Sequence, residues 1–132
     1  MIVLLIEDEE DDQNTYRKLV ERACPGAEVY IARDSIKTRD HLRKVKPHLA
    51  IVDIWLGGTT NASHGIEIIQ EMRTKKRTKN IMIFALTVAV SDEMERMATD
   101  AGCDRFFRKK QDDVRLEEAV RHLCRTIKVK QK

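Results

Sequence analysis

The chain has few cysteines. Cys24, Cys103 and Cys124 are the only three in 132 residues, with no Cys-x-x-Cys pair and no histidine at zinc-finger spacing. That odd, scattered set argues against a disulfide framework and against a structural metal, so the three are expected to be reduced, mostly core thiols. Long apolar runs are also missing. Met1 leads straight into Ile2 to Ile6 with no basic segment and no cleavage site, and nothing approaches membrane-spanning length. The expectation is a cytoplasmic protein with no membrane partner, in which the glycosylation triplet Asn61-Ala62-Ser63 is a chance match. No charge sign dominates: 25 Lys and Arg stand against 22 Asp and Glu, a formal +3. So small and mixed a surplus gives no reason to expect direct nucleic-acid binding. There is no G-x-x-x-x-G-K-[ST], no G-x-G-x-x-G and no signalled Ser-His-Asp arrangement, which removes the common phosphate loops and the serine-hydrolase reading.

What the chain does have is an apolar run that ends in a charge. Leu49-Ala50-Ile51-Val52 closes on Asp53 and then loosens into Gly57-Gly58-Thr59-Thr60-Asn61. A buried strand has no use for a carboxylate along its length, but its carboxyl end can present one to a ligand crevice. Ile2 to Ile6 is a similar run and also ends in acid, at Glu7 and Asp8. Further strands are expected at Glu28 to Ala32, at Ile81 to Leu86 ending on Thr87, and at Asp104 to Arg108 leading to Lys109.

Helical patterns separate these runs. Asp11 or Asp12 caps a helix with Tyr16, Leu19, Val20 and Ala23 on one face, stopped by Pro25-Gly26. Asp34-Ser35 opens a second with His41, Leu42 and Val45. A third, after the loop to Gly65, carries Ile66, Ile69 and Met72 and ends in the solvated basic run Arg73 to Lys79. Ser91-Asp92-Glu93 starts a fourth, with Met94, Met97, Ala98 and Ala101 inward and Gly102 as C-cap. Asp112-Asp113 starts the last, with Leu116, Ala119, Val120, Leu123, Cys124 and Ile127 inward, before a basic tail over 128–132 that frays into solvent. Five strands alternating with five helices imply one domain over 1–127, with no output domain: a doubly wound α/β three-layer sandwich with a parallel five-stranded sheet.

In that fold Glu7, Asp8, Asp53, Thr87 and Lys109 meet outside the carboxyl ends of the strands. Two or three carboxylates among oxygens suit a hard cation, and Mg²⁺ is the natural one because it keeps waters and phosphate oxygens as co-ligands. Lysine and threonine suit a phosphoryl oxygen, and an aspartate can attack phosphorus once a metal and a cation offset the repulsion. Asp53 is the candidate acceptor. Glu9 to Asp12 read as helix-start charges on a solvated face.

Leu4-Leu5-Ile6-Glu7-Asp8-Glu9, Ile51-Val52-Asp53, Ala85-Leu86-Thr87 and Gly102-Cys103-Asp104-Arg105-Phe106-Phe107-Arg108-Lys109 resemble, in order, the four signature segments of response-regulator receiver domains. The resemblance spans essentially the whole chain. It implies the flavodoxin-like (βα)5 fold with strand order 2-1-3-4-5 and a stand-alone two-component receiver that is not a turnover enzyme. Asp53 would be the phospho-acceptor, with Asp8 a direct Mg²⁺ ligand, Glu7 acting through water, and the Trp55 backbone carbonyl completing the protein ligands. Thr87 would hydrogen-bond the phosphoryl group and Lys109 would pair with it. Thr87 and Phe106 would form the switch. The implied donor is a histidine kinase or phosphotransfer protein. The downstream protein or dimer partner is unspecified and would dock on helix 4, strand 5 and helix 5.

The chain departs from that pattern in four places. Lys110 stands where a proline, often cis, usually follows the lysine, and a non-proline bond there is expected to be trans. The loop from Asp53 to Gly65 is longer and lacks the usual proline. Trp55 and Val88 put bulk beside the acceptor and the threonine, so the acyl phosphate is expected to lose its phosphate slowly. Two other readings compete: a phosphorylation-incompetent receiver-like interaction module, and a haloacid-dehalogenase-type phosphohydrolase. The latter generally needs a second Asp where this chain has Trp55.

Overall fold

The central apolar runs become strands because neither of their faces can meet water, and two part-exposed strands, Glu28–Ala32 and Arg105–Arg108, close the edges of the sheet. In the computed structural model, described for residues 1–55, 63–88 and 91–130, the strands are β1 (Ile2–Ile6), β2 (Glu28–Ala32), β3 (Leu49–Asp53), β4 (Met82–Thr87) and β5 (Arg105–Arg108). All four pairings are parallel and the order is β2-β1-β3-β4-β5. The helices are α1 (Glu10–Ala23), α2 (Ser35–Lys44), α3 (Ser63–Thr74), α4 (Asp92–Ala101) and α5 (Asp113–Lys130).

Strand alternation divides the core in two. Leu4, Ile6, Ala50, Val52 and Ile83 face a layer with Ile66, Ile69, Met72 and Ala98 from α3 and α4. Val3, Leu5, Ile51, Phe84 and Phe107 face Tyr16, Leu19, Val20, Leu116 and Val120 from α1 and α5. With both faces covered, every residue of β3 is buried, and Asp53 at its end is only 4% exposed. The covering helices run back toward the amino ends of the strands, which leaves the carboxyl ends free to build a site.

Several expectations need correction. Cys24 and Cys124, 100 residues apart in sequence, form a disulfide that ties the C-cap of α1 to α5, and only Cys103 is a free, buried thiol. An odd cysteine count rules out a fully paired set but not one pair plus a spare. α1 starts at Glu10 with Glu9 as N-cap and no side-chain cap bond, so neither Asp11 nor Asp12 caps it. Val45 is the C-cap of α2 and lies outside the helix, and the buried residue of α2 is Thr38, whose hydroxyl donates to the Asp34 carbonyl. α3 begins at Ser63, ahead of Gly65. Met97 is 40% exposed and is not an inner residue of α4, whereas Ser91 and Gly102 cap that helix as expected. α5 stays helical through Lys130, although Lys128, Val129 and Lys130 are exposed. Loop residues 56–62, residues 89–90, Ser63's side chain and the final residues 131–132 lie outside the described set.

Candidate functional site

β1, β3 and β4 end side by side, which places Glu7, Asp53 and Thr87 at one edge of the sheet. All three are buried, Thr87 completely. One carboxylate oxygen each from Glu7, Asp8 and Asp53 fits a set lying within 4.8 Å of one another. This is an oxygen-only donor set, which suits Mg²⁺ better than a soft or nitrogen-seeking metal.

Lys109 reaches in from the end of β5 and spends all three ammonium hydrogens on carboxylates. Nζ donates to Glu7 Oε2 at 2.7 Å, Asp12 Oδ2 at 2.8 Å and Asp53 Oδ2 at 3.1 Å. Burial alone would lower the lysine's pKa, but the charges of Asp53, Asp12 and Glu7 outweigh it and hold the ammonium above its ordinary value. Burial first, and then the charge of Asp53, pushes the Glu7 carboxyl well above the usual carboxylate range, against the pull of Lys109. Among the described residues, the carboxyl groups of Glu7, Asp8, Asp12 and Asp53 gather around a single ammonium, so the pocket is short of positive charge.

Short-range contacts fix the directions of these groups. The Trp55 amide donates to Asp53 Oδ1 at 2.9 Å, so Asp53 has each oxygen held by a different donor. Glu7 Oε1 accepts from the Glu9 amide, and its carbonyl accepts from Gln13 Nε2, which ties it to the first turn of α1. Gly65 packs α3 against the strand end: a Cβ there would lie 2.3 Å from Ile54 Cα and 2.4 Å from the Asp53 carbonyl oxygen.

Beyond Lys109 the turn takes its own form. Among the described residues there is no cis peptide bond, and Lys110 has φ +70°. Its amide donates to Asp113 Oδ1 at 2.9 Å and to the Tyr16 hydroxyl at 3.3 Å, and that hydroxyl donates to Asp113 Oδ1 at 2.8 Å. Proline could neither adopt that φ nor make those bonds. Lys109 is therefore anchored from behind by a contact between α1 and α5.

The expected site residues Glu7, Asp8, Asp53 and Lys109 converge, with Thr87 at the adjoining strand end. Phe106 is half-buried against the α3–α4 layer, Trp55 is half-buried, and Val88 is 61% exposed. His64 is exposed on α3 and makes no part of the cluster. Asp12, read as a solvated helix-start charge, is a Lys109 partner 22% exposed. Tyr16, read as plain core, carries a hydroxyl that had to find a partner once buried, and Asp113 supplies it. Arg73, read as the start of a solvated run, donates to the carbonyls of Gly102, Lys79 and Ile81 and pairs with Asp104.

An acidic pocket at the carboxyl ends of a 2-1-3-4-5 parallel sheet, with a lysine inside it and a threonine at the adjoining strand end, defines a class of α/β proteins that bind a hard cation at a strand-end aspartate. Residues 3–121 match the model of the response regulator receiver domain, and the chain belongs to that family. Receiver domains are signalling domains of two-component systems that bind Mg²⁺ and interact with histidine kinases or phosphotransfer proteins. The chain is similar to the signal receiver domain of a DNA-binding response regulator from Colwellia psychrerythraea 34H, with TM-score 0.83 and 25% identity over 93% of this chain and 97% of that one. It shares its fold with the receiver domain of the Pseudomonas aeruginosa PAO1 sensor histidine kinase PA1611, which has a magnesium ion coordinated in its active-site cleft (TM-score 0.77, 18% identity, 93% and 96% covered). The same holds for the Vibrio cholerae chemotaxis protein CheY4 (TM-score 0.76, 20% identity, 92% and 97% covered). No curated protein sequence matches the chain. No described helix is long and apolar enough to cross a membrane.

Proposed function

We propose that the chain is a Mg²⁺-dependent phospho-acceptor that takes a phosphoryl group onto Asp53 from a histidine kinase or phosphotransfer protein. The observation that carries the reading is the shared grip of Lys109 on Asp53 and Glu7, within a cluster whose remaining charge calls for a further cation. Asp8, Asp53, Glu7 through water and the Trp55 carbonyl would hold the ion. When bound, Mg²⁺ neutralises the phosphoryl oxygens and lowers the barrier to anionic attack.

The protein's own residues do the rest. The Trp55 amide fixes Asp53 Oδ1, leaving Oδ2 as the oxygen that exchanges Lys109 for phosphorus. The bond from the donor's imidazole nitrogen to phosphorus breaks as the Asp53 oxygen bond forms, and Lys109 follows the charge onto the phosphoryl group. Thr87 would donate to another phosphoryl oxygen, with Phe106 adjusting on the β5 surface beside it. Such a ligand shifts an equilibrium between two states by its differential affinity for them, about 5 kcal/mol for a complete swing. Helix 4, strand 5 and helix 5 would carry the altered surface to a protein partner, in a cytoplasmic setting.

Trp55, the only tryptophan, is the built-in probe. Its emission should respond to Mg²⁺ and then to beryllofluoride or acetyl phosphate, and the chain should gain one phosphoryl mass that Asp53→Asn abolishes. Silence in both measurements would favour an interaction module that is not phosphorylated. Steady phosphate release from small phosphoesters would favour a hydrolase. Bulk at Trp55 and Val88 should also slow phosphate loss, and Trp55→Asn should accelerate it.

A further inference from the structure

The Cys24–Cys124 bridge sits where α1 ends and β2 has yet to begin, at the amino ends of the strands and opposite the acidic pocket. Nothing in the phospho-acceptor reading uses it. A cavity of about 320 Å³ opens over it, with Cys124 in its wall beside Arg22, Arg121, Arg125 and Lys128. Glu117 pairs with Arg22 at 3.0 Å and with Arg121 at 2.8 Å, and no ion pair engages Arg125 or Lys128 among the described residues. The opening therefore keeps a surplus of positive charge beside Cys124, while the bridge itself is buried, Cys24 1% and Cys124 3% exposed, so a thiol can reach it only through this cavity. Cys103, the remaining cysteine, lies elsewhere, against Arg73 and Asp104, and burial pushes its thiol up to about 11.

We propose that Cys24–Cys124 is a reversible redox site exchanged by a small anionic thiol, of the carboxylate-bearing glutathione kind, that enters this cavity. The thiolate attacks the sulfur of Cys124, the bridge residue that lines the cavity. A sulfur–sulfur bond forms between the small thiol and Cys124, and the bond to Cys24 breaks with its electron pair left on the Cys24 sulfur, which takes a proton from solvent. A second thiolate attacks the mixed disulfide, releases the small-molecule disulfide and leaves Cys124 as a thiol. Two thiols are oxidised to one disulfide while one protein disulfide becomes two thiols, and the oxidised small molecule runs the sequence backwards. The cationic wall favours this chemistry by concentrating an anionic nucleophile beside Cys124. The consequence is local to the helix pair: reduction unties the far end of α1 from α5, and the near ends of the same two helices hold Asp12, Tyr16 and Asp113 around Lys109 and Lys110.

The test uses the full chain with no phosphodonor, so it stands or falls apart from the phospho-acceptor reading. The chain is equilibrated in reduced and oxidised glutathione, quenched in acid and weighed. The bridge should open and close with the ratio while the far-ultraviolet circular dichroism stays native. Cys24→Ser treated with oxidised glutathione should carry one glutathionyl group on Cys124 and none on Cys103. In low salt, reduced glutathione should open the native bridge roughly tenfold faster than the cationic thiol cysteamine at equal thiolate concentration, and high salt should shrink that ratio. The double substitution Arg125→Glu and Lys128→Glu should erase or invert it. A bridge that opens only when the chain unfolds overturns the proposal. So do equal rates for the two thiols, or a charge reversal without effect; these rate arms keep both cysteines, so they hold even if Cys24→Ser fails to fold.

Discussion

Replacing Lys109 by methionine removes the one cation that the acidic pocket contains among the described residues and keeps most of the side chain's length. In the native pocket that ammonium, 6% exposed, makes three charge-assisted bonds of 2.7, 2.8 and 3.1 Å. Lys109→Met leaves Glu7 and Asp53, both almost fully buried, facing each other and Asp8 with no counter-charge. Removing one partner of a buried ion pair costs about 3 to 5 kcal/mol, chiefly because the other charge is left uncompensated. Proton uptake by one of the stranded carboxyls limits the loss, so the expectation is about 3 kcal/mol. For a chain of this size that lowers the melting temperature by roughly 10 °C. The variant should also respond more strongly to Mg²⁺ than the native chain, because the ion no longer competes with an ammonium for the same oxygens. At a hundredfold excess over its dissociation constant it should return about 2.7 kcal/mol. Thermal and urea melts followed by circular dichroism, each with EDTA and with Mg²⁺, read both quantities. A loss under 1 kcal/mol in EDTA, or a Mg²⁺ response no larger than the native one, would refute the picture of a cation-starved carboxylate cluster.

Gly65→Ala places a methyl group 2.3 Å from Ile54 Cα and 2.4 Å from the Asp53 carbonyl, which are backbone atoms with no side-chain freedom to retreat. Expect a loss of about 2 to 3 kcal/mol in urea melts, and a weaker Mg²⁺ response of Trp55 because the Asp53 end of β3 must move. Lys110→Pro, although it would make the chain more like its family, should destabilise by about 3 kcal/mol. It forbids φ +70° and deletes the bonds to Asp113 and Tyr16. Lys110→Gly should stabilise by up to about 1 kcal/mol by relieving the left-handed conformation, and paired melts read the opposite signs. For Cys103, burial raises the folded thiol from 9.0 to about 11. The neutral thiol's contribution is therefore complete below pH 9 and is lost as pH rises through 11, on the order of 2 kcal/mol. Iodoacetamide labelling at pH 8 should be slow in the native chain and fast in urea.

The strands and the charged or polar residues at their carboxyl ends were legible because each depends on a local rule: an apolar run with no polar face must be covered on both sides, and its carboxyl end is where charge can emerge; the sheet order came only from the resemblance to receiver domains. What sequence left hidden depends on which distant surfaces meet. Asp12 looks like any helix-start acid, since an acid in the first turn suits the dipole whether or not it has a partner. Only the approach of β5 to α1 shows that its carboxylate holds Lys109. Cys24 and Cys124 lie 100 residues apart, and the packing of α1 on α5 brings them together, which no spacing rule encodes. Met97 shares its helical period with Met94, yet α4 covers the sheet with a face too narrow for both, so one stays at the surface. The missing proline at Lys110 was visible. Its consequence, an amide free to bind Asp113, required the fold.

These hidden contacts bear on how the pocket can work, because an ammonium has three hydrogens and Lys109 uses all of them in this state. A phosphoryl group on Asp53 can gain Lys109 only if a present acceptor gives it up. Asp53 surrenders its own bond when its oxygen becomes part of the acyl phosphate. Glu7 is held from two sides, by the Glu9 amide and by Gln13. Asp12, the most exposed of the three acceptors and carried on the first turn of α1 and not on a strand end, is the partner that solvent can most cheaply compensate. In the proposed reaction the hydrogen that Asp53 releases would serve the phosphoryl group, and any second Lys109 bond to that group would come from Asp12. The Tyr16–Asp113–Lys110 contact sets the backbone from which Lys109 turns, so the lifetime of an acyl phosphate on Asp53, in the proposed reaction, would depend on the α1–α5 pair as well as on the strand ends.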